Sequence, residues 1–299
     1  MDTAILLGLG SALLYGFSDF AARFAGRAVG VLRTMFWVQL SAALGLSVVV
    51  AATGALAAAA GVSAGVWAIT VAGNLVILLA TALLYRGLSR GRLAVVAPIT
   101  ACYGAVTAVL SCLSGEALGA PVAGGLLLAV AGAALSSVPS APAPANAGDE
   151  GRPAAPFPGS GGAGWACAAA VCYGIGFFAI GHWSVPALGH LLPVWLYYGC
   201  GAVVLGLVGT ACGLSLSVPN RREIAAVAGT GGGAVGGALT LTAAVGGAAV
   251  AVPTVLSSLA SVVTVVLARL LIRERVAPHQ WAGVAMVIAG LAVLNLRVL

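Results

Sequence analysis

Polar and charged side chains are scarce in this 299-residue chain, so any chemistry rests on the few placed inside apolar runs. Asp19 is the only acidic residue well within such a run. A carboxylate in a lipid-embedded helix is costly and marks either a function or a partner. Arg23 follows four residues later, the favourable order for a helical ion pair. Both roles stay open: ion pair with Arg23, or proton or substrate site. Hydroxyls recur at helical spacing in two further places. Thr100, Tyr103, Thr107 and Ser111 share one face, as do Ser258, Ser261 and Thr264. A polar stripe on a membrane helix faces protein or water, so some of these should line a cavity. Others should join helices, at about 0.6 kcal/mol per hydrogen bond. Tyr15 and Tyr173 fall at equivalent depths of two apolar runs, either as cavity walls or as packed rings with satisfied hydroxyls. Asn74 calls for an interhelical partner or a cavity. The candidates for a substrate cavity are therefore Tyr15, Asp19, Asn74, Thr100, Tyr103, Tyr173, Ser258 and Ser261.

Catalytic and cofactor chemistry finds no support. His182, His190 and His279 have no metal-ligand spacing, and the six cysteines form neither C-x-x-C pairs nor a disulfide framework. With no Lys, a G-x-x-x-x-G-K nucleotide loop is impossible. Gly231, Gly233 and Gly236 satisfy G-x-G-x-x-G, but no strand precedes them and no suitably spaced acid follows. The same run places Gly229, Gly233 and Gly237 four apart, which allows close helix approach or local unwinding. The expectation is a protein without enzymatic activity, metal, cofactor or bound nucleotide. Trp37, Trp195, Tyr197 and Tyr198 open two apolar runs and fit an interfacial aromatic belt. Glu116 and Glu274 end two others and fit a structural role in the following turn.

The elements that position these residues follow from composition. The chain is 61% hydrophobic and 7% charged, against roughly 25% charged for a soluble domain, and cannot clothe a globule with water-compatible surface. Lipid as solvent removes that requirement. A bilayer core needs roughly 20 apolar residues per helix. Ten segments qualify: 4–22, 34–53, 67–85, 94–113, 121–138, 163–181, 192–212, 224–245, 250–272 and 279–296. Residues 139–162 (PSAPAPANAGDEGRPAAPFPGSGG) read as a flexible linker, leaving five spans in residues 1–138 and five in 163–299. The halves match at an offset of 158: Tyr15-Gly16 with Tyr173-Gly174, Phe20 with Phe178, Trp37 with Trp195, Glu116 with Glu274. Five crossings per half is odd, so the second half is inverted. The expected fold class is an all-α membrane protein of two inverted five-helix repeats, with its site at the midplane between them.

The order and spacing of several motifs resemble the EamA family of the drug/metabolite transporter superfamily. They are Tyr15-Gly16-Phe17-Ser18-Asp19-Phe20, the unit from Ala97-Pro98 through Gly115-Glu116 to Gly125, and Ser257-Ser258-Leu259 followed by Thr264, Arg273-Glu274-Arg275 and Gln280-Trp281-Ala282-Gly283. The chain departs from the family pattern thirteen residues before each glutamate, where Tyr103 and Ser261 replace a usual proline. The resemblance implies a ten-helix transporter, commonly an exporter, of amino acids or other metabolites. The reading that follows is a secondary carrier of small organic solutes working by alternating access. A sparsely charged cavity would suit neutral, zwitterionic or amphipathic solutes. A lipid-linked sugar flippase, or a membrane scaffold subunit without a cavity, is the alternative. The expected partners are the lipid bilayer and a small-molecule substrate, with no nucleic acid; oligomeric state is left open.

The formal charge of +6 is the balance of thirteen arginines against seven acidic residues, and all the arginines but Arg297 fall in or beside the loops after odd-numbered spans. Basic residues in short loops stay cytoplasmic. A plasma-membrane, multi-pass protein with both termini outside the cytoplasm is therefore expected. A C-terminal reporter active only in the cytoplasm should stay silent, and one active only outside should signal; the reverse pattern contradicts the assignment.

Overall fold

The computed structural model describes residues 2–91, 93–115, 124–125, 127–128, 131–132, 135, 162–245, 250–272 and 278–296. Eleven helices of eight residues or more lie among them. They are α1 (Asp2–Ala28), α2 (Val31–Thr53), α3 (Ala64–Arg90), α4 (Leu93–Ala101), α5 (Tyr103–Leu113), α6 (Ala163–Ala179), α7 (Leu191–Ala211), α8 (Arg221–Val245), α9 (Ala251–Ser258), α10 (Ala260–Leu271) and α11 (Pro278–Leu296). Single helical turns at Ala55–Ala58 and Val185–Leu188 complete the connections. Nine of the ten expected segments coincide with described helix, and the fifth falls mostly outside the described residues, as do nearly all of the linker, Glu116 and Glu274.

Seven of these segments are long and apolar enough to cross a membrane: 31–53, 64–90, 95–113, 163–188, 191–211, 223–245 and 253–271. The chain is thus a multi-pass membrane protein. At 27 residues α1 would extend about 40 Å, beyond a hydrocarbon core of about 30 Å, but Asp19, Arg23 and Arg27 lower its hydropathy. Apolar side chains point outward as well as inward: Leu44 is 63% and Val48 70% exposed on α2. Such a surface is satisfied by lipid rather than water.

Helix pairing crosses between the two halves. α1 packs along α8, α3 along α6, and α2 along α7, while α5 meets α9 and α4 meets α10. Glycine permits the close approaches. A Cβ on Gly16 of α1 would lie 2.5 Å from Val263 Cβ and 2.7 Å from the Ala260 carbonyl oxygen of α10. Gly174 of α6 presses in the same way on Val106 and the Tyr103 carbonyl of α5. The hydroxyls beside these notches are equally matched. Thr264 donates to Gly16 O at 3.1 Å and to its own Ala260 O at 3.0 Å. Thr107 donates to Gly174 O at 3.1 Å and to its own Tyr103 O at 3.0 Å. Thr107 and Thr264, one from each polar stripe, are therefore helix-joining.

The fourth and ninth spans are broken, and the breaks correspond. Cys102 separates α4 from α5, and its N–H reaches back only three residues to Ile99 O. Leu259 separates α9 from α10, bonding likewise to Leu256 O. Both residues hold ψ near −5° instead of the helical value. The breaks and the two threonines repeat at 157 positions, one fewer than the offset that matches the halves by sequence, so Thr100 and Tyr103 do not pair with Ser258 and Ser261 in space. Local unwinding in the glycine run of the eighth span is not found: α8 continues from Arg221 to Val245. Its glycines instead receive α1, with Gly233 against Leu14 O and Gly237 against the Tyr15 ring. An Asn220–Glu223 capping box starts α8: the Glu223 N–H donates to Asn220 Oδ1 and the Asn220 N–H to Glu223 Oε2. Arg33 ties the box to α2 through Glu223 at 3.2 Å.

Because neither a valine Cβ nor a backbone carbonyl can yield cheaply, Gly16→Ala and Gly174→Ala should each cost about 1–3 kcal/mol. Gly10→Ala and Gly164→Ala, in the same helices but facing open space, serve as controls. The first pair should lower the thermal midpoint in detergent by several degrees while the controls leave it in place.

Candidate functional site

The helix pairs splay around a cavity of ≈ 110 Å³, counted as space open to the centre of a water molecule. That is room for several waters or a small solute. Described residues from α1 to α10 contribute to its wall, drawn from both halves of the chain. The structure places all eight candidate residues there. Tyr15 and Asp19 come from α1, Asn74 from α3, and Thr100 and Tyr103 from either side of the break between α4 and α5. Tyr173 comes from α6, and Ser258 and Ser261 flank the matching break between α9 and α10.

Most polar groups of this wall are already engaged with protein. Asn74 Nδ2 donates to Pro193 O at 3.0 Å, joining α3 to α7. Tyr173 donates its hydroxyl to Thr81 Oγ1 at 2.9 Å, and Tyr197 shares the same oxygen at 2.8 Å. Tyr103 donates to Ser257 Oγ at 3.2 Å, which also pairs with Ser11 Oγ at 2.8 Å. Thr100 and Ser258 bond within their own helices, to Val96 O and Val255 O. Asp19 differs. Among the described residues its carboxylate forms no ion pair with Arg23, and Arg23 does not line the cavity.

Several lining residues were not singled out from sequence. Tyr197 and Tyr198, expected in an interfacial belt, stand in the cavity wall, with Tyr198 only 2% exposed. Their position at the start of a span resembled a belt because sequence gives depth along a helix but not the face. Gln39 lines the wall, 2% exposed, in a notch left by Gly201, where a Cβ would sit 2.6 Å from its Cδ. Its Oε1 has no hydrogen-bond partner among the described residues. Tyr85, Thr81 and Phe177 complete this part of the wall. A polar residue inside an apolar run was the available signal for Gln39 and Thr81. Trp37 and Trp195 lie outside the wall, bonded through Nε1 to Ser217 O and Ser47 Oγ. The sixth span ends in a π-helical turn, Ile180–Ser184, that sequence did not indicate and that sets Ile180 against the cavity.

Residues 160–296 match the model of the EamA-like transporter family. Over that stretch the chain is similar to the EamA family, which lies within the drug/metabolite transporter superfamily. The matched region holds the whole second half, from the Tyr173-Gly174 notch to α11. A solved crystal structure, described only as that of a protein, has the same fold as nearly the entire chain. It superposes with a TM-score of 0.65 at 20% identity, covering 99% of this chain and 97% of that chain. None of the curated proteins compared matches the sequence. Among the described residues, no group of three or more His, Cys, Asp or Glu side chains stands ready to hold a metal ion.

The two kinds of hydroxyl in each stripe separate experimentally. In a background without native cysteines, Thr100→Cys and Ser261→Cys should react with a water-soluble thiol reagent at least about tenfold faster than Thr107→Cys and Thr264→Cys, which are sealed between helices. Equal rates at all four positions would contradict the assignment.

Proposed function

We propose that this EamA-family membrane protein is a secondary carrier of small organic solutes, acting by alternating access around the cavity between its two halves. The observation that carries the reading is a solute-sized cavity walled by both halves and flanked by two matching helix breaks. Broken helices at the midplane are where carriers of inverted-repeat design hold solute, because unpaired backbone is tolerated there only beside a cavity. The exchange of partners supports the inverted plan. Swapping the halves turns the α1–α8 pair into the α6–α3 pair and leaves α2–α7 in place. Two five-span repeats, 1–138 and 163–299 with the linker 139–162 between them, rocking about this axis would open the cavity to each side in turn. Outward movement of small organic metabolites is the direction proposed. A scaffold subunit would have an apolar seam between its halves, whereas this one carries hydroxyls, an amide and a carboxylate.

The test is reconstitution into liposomes loaded with a metabolite mixture, with solute exchange followed by tracer counterflow. Flux of at least one solute class above empty liposomes is expected. Ala234→Phe, which fills the cavity from α8 where Ala234 lines it, should reduce that flux about tenfold or more with insertion and thermal midpoint retained. No flux for any solute, or full flux through the filled variant, would overturn the reading.

A further inference from the structure

All six tyrosines of the chain line one cavity. Nothing about membrane helices requires that concentration, since tyrosines in such proteins gather at the two water interfaces. Here they are joined by Phe177 into clusters: Tyr103 lies 5.9 Å from Tyr173 and 5.2 Å from Phe177, Tyr173 stacks on Phe177 at 5.4 Å, and Tyr197 meets Tyr198 edge-on at 4.9 Å. The hydroxyls of Tyr103, Tyr173 and Tyr197 are already bonded, to Ser257 and to Thr81. What these residues offer a solute is therefore ring surface more than hydrogen bonds. Ring faces carry negative potential and attract cations, most strongly where water is excluded.

The charge balance of the wall points the same way. Among the described residues Asp19 is the one ionisable acid in it, and no arginine or histidine lines it. An anionic solute would meet a carboxylate and aromatic faces with no cation of the described wall to answer it. A zwitterion would leave its own carboxylate in the same position. A neutral solute would leave Asp19 without a counter-charge. Gln39 adds a buried acceptor, Oε1, that lacks a donor within the described protein.

We propose that the cavity takes a small organic cation, specifically a protonated amine, whose ammonium is held by the Asp19 carboxylate and the surrounding tyrosine rings. The inference rests on the carrier reading above for its biological meaning, but is tested by equilibrium binding, which does not depend on flux. The purified protein in lipid nanodiscs is titrated calorimetrically with four ligands sharing one body: phenethylammonium, phenethyl alcohol, hydrocinnamate and phenylalanine. Phenethylammonium should bind saturably and about tenfold or more tighter than each of the others. In Asp19→Asn, checked for monodispersity and thermal midpoint, the ratio of ammonium to alcohol affinity should fall close to unity. Tyr103→Leu should weaken the ammonium several-fold, and Tyr103→Phe, which keeps the ring, should weaken it less. Alcohol or hydrocinnamate binding as tightly as the ammonium, a preference that survives Asp19→Asn, or no saturable ammonium binding would each overturn the inference. Metabolite flux without any ammonium preference would leave the carrier reading standing and remove this one. Ammonium binding without flux of any solute would do the opposite.

Discussion

Inside a bilayer a hydroxyl or carbonyl has no water to turn to, so helices carrying such groups must meet closely enough to satisfy them. In this molecule that requirement converges on two glycines. Gly16 and Gly174 remove the side chains that would hold α1 and α6 away from α10 and α5, and a threonine hydroxyl then bridges each gap. Each bridge contributes only about 0.6 kcal/mol, yet the contact it marks decides which helices are neighbours. α8 repeats the device with Gly233 and Gly237 along α1. The remaining pairings follow from these seams.

Close seams on one side leave space on another. Where α1, α3, α6 and α8 are drawn together pairwise, the broken spans cannot also fill the centre, and the breaks at Cys102 and Leu259 lie beside the residual cavity. The same stripe of hydroxyls thus divides by depth. Thr107 and Thr264 sit in the seams, whereas Thr100, Ser258 and Ser261 sit at the breaks. Aromatic side chains take up the volume that small residues leave, so much of the wall is built from rings, and the hydroxyls of Tyr103, Tyr173 and Tyr197 are held by Ser257 and Thr81. Asp19 is the exception to this mutual satisfaction. Its carboxylate lines a cavity whose other described polar groups are mostly committed to protein partners, which is the basis for proposing it as the place where a solute charge is read.

The extent of most described apolar segments was legible in sequence because lipid imposes one rule on every residue of a span. The ends of the expected segments 34–53, 94–113 and 192–212 lie within three residues of those of α2, of the α4–α5 pair and of α7. Candidate cavity residues were legible for the same reason: Asp19, Asn74 and the threonine-tyrosine stripe are expensive in lipid, and that expense restricts them to the interior. The correspondence of Tyr15-Gly16 with Tyr173-Gly174 also followed from sequence alone, and the structure gives both glycines the same mechanical task.

What tertiary structure alone decided is azimuth and register. A span's hydropathy is nearly the same on every face, so sequence could place Tyr197 and Tyr198 near a helix start but could not turn them toward a cavity. The offset of 158 aligned the halves by residue identity, whereas the breaks and threonine bridges of the fourth and ninth spans repeat at 157, because packing matches positions in space and tolerates a single-residue shift between loops. The glycine run of the eighth span was compatible with unwinding or with close approach; α1 lying in its groove selected the second. Single-chain hydropathy determines how long a helix must be and which groups it must hide. Only the neighbouring helices determine where they are hidden.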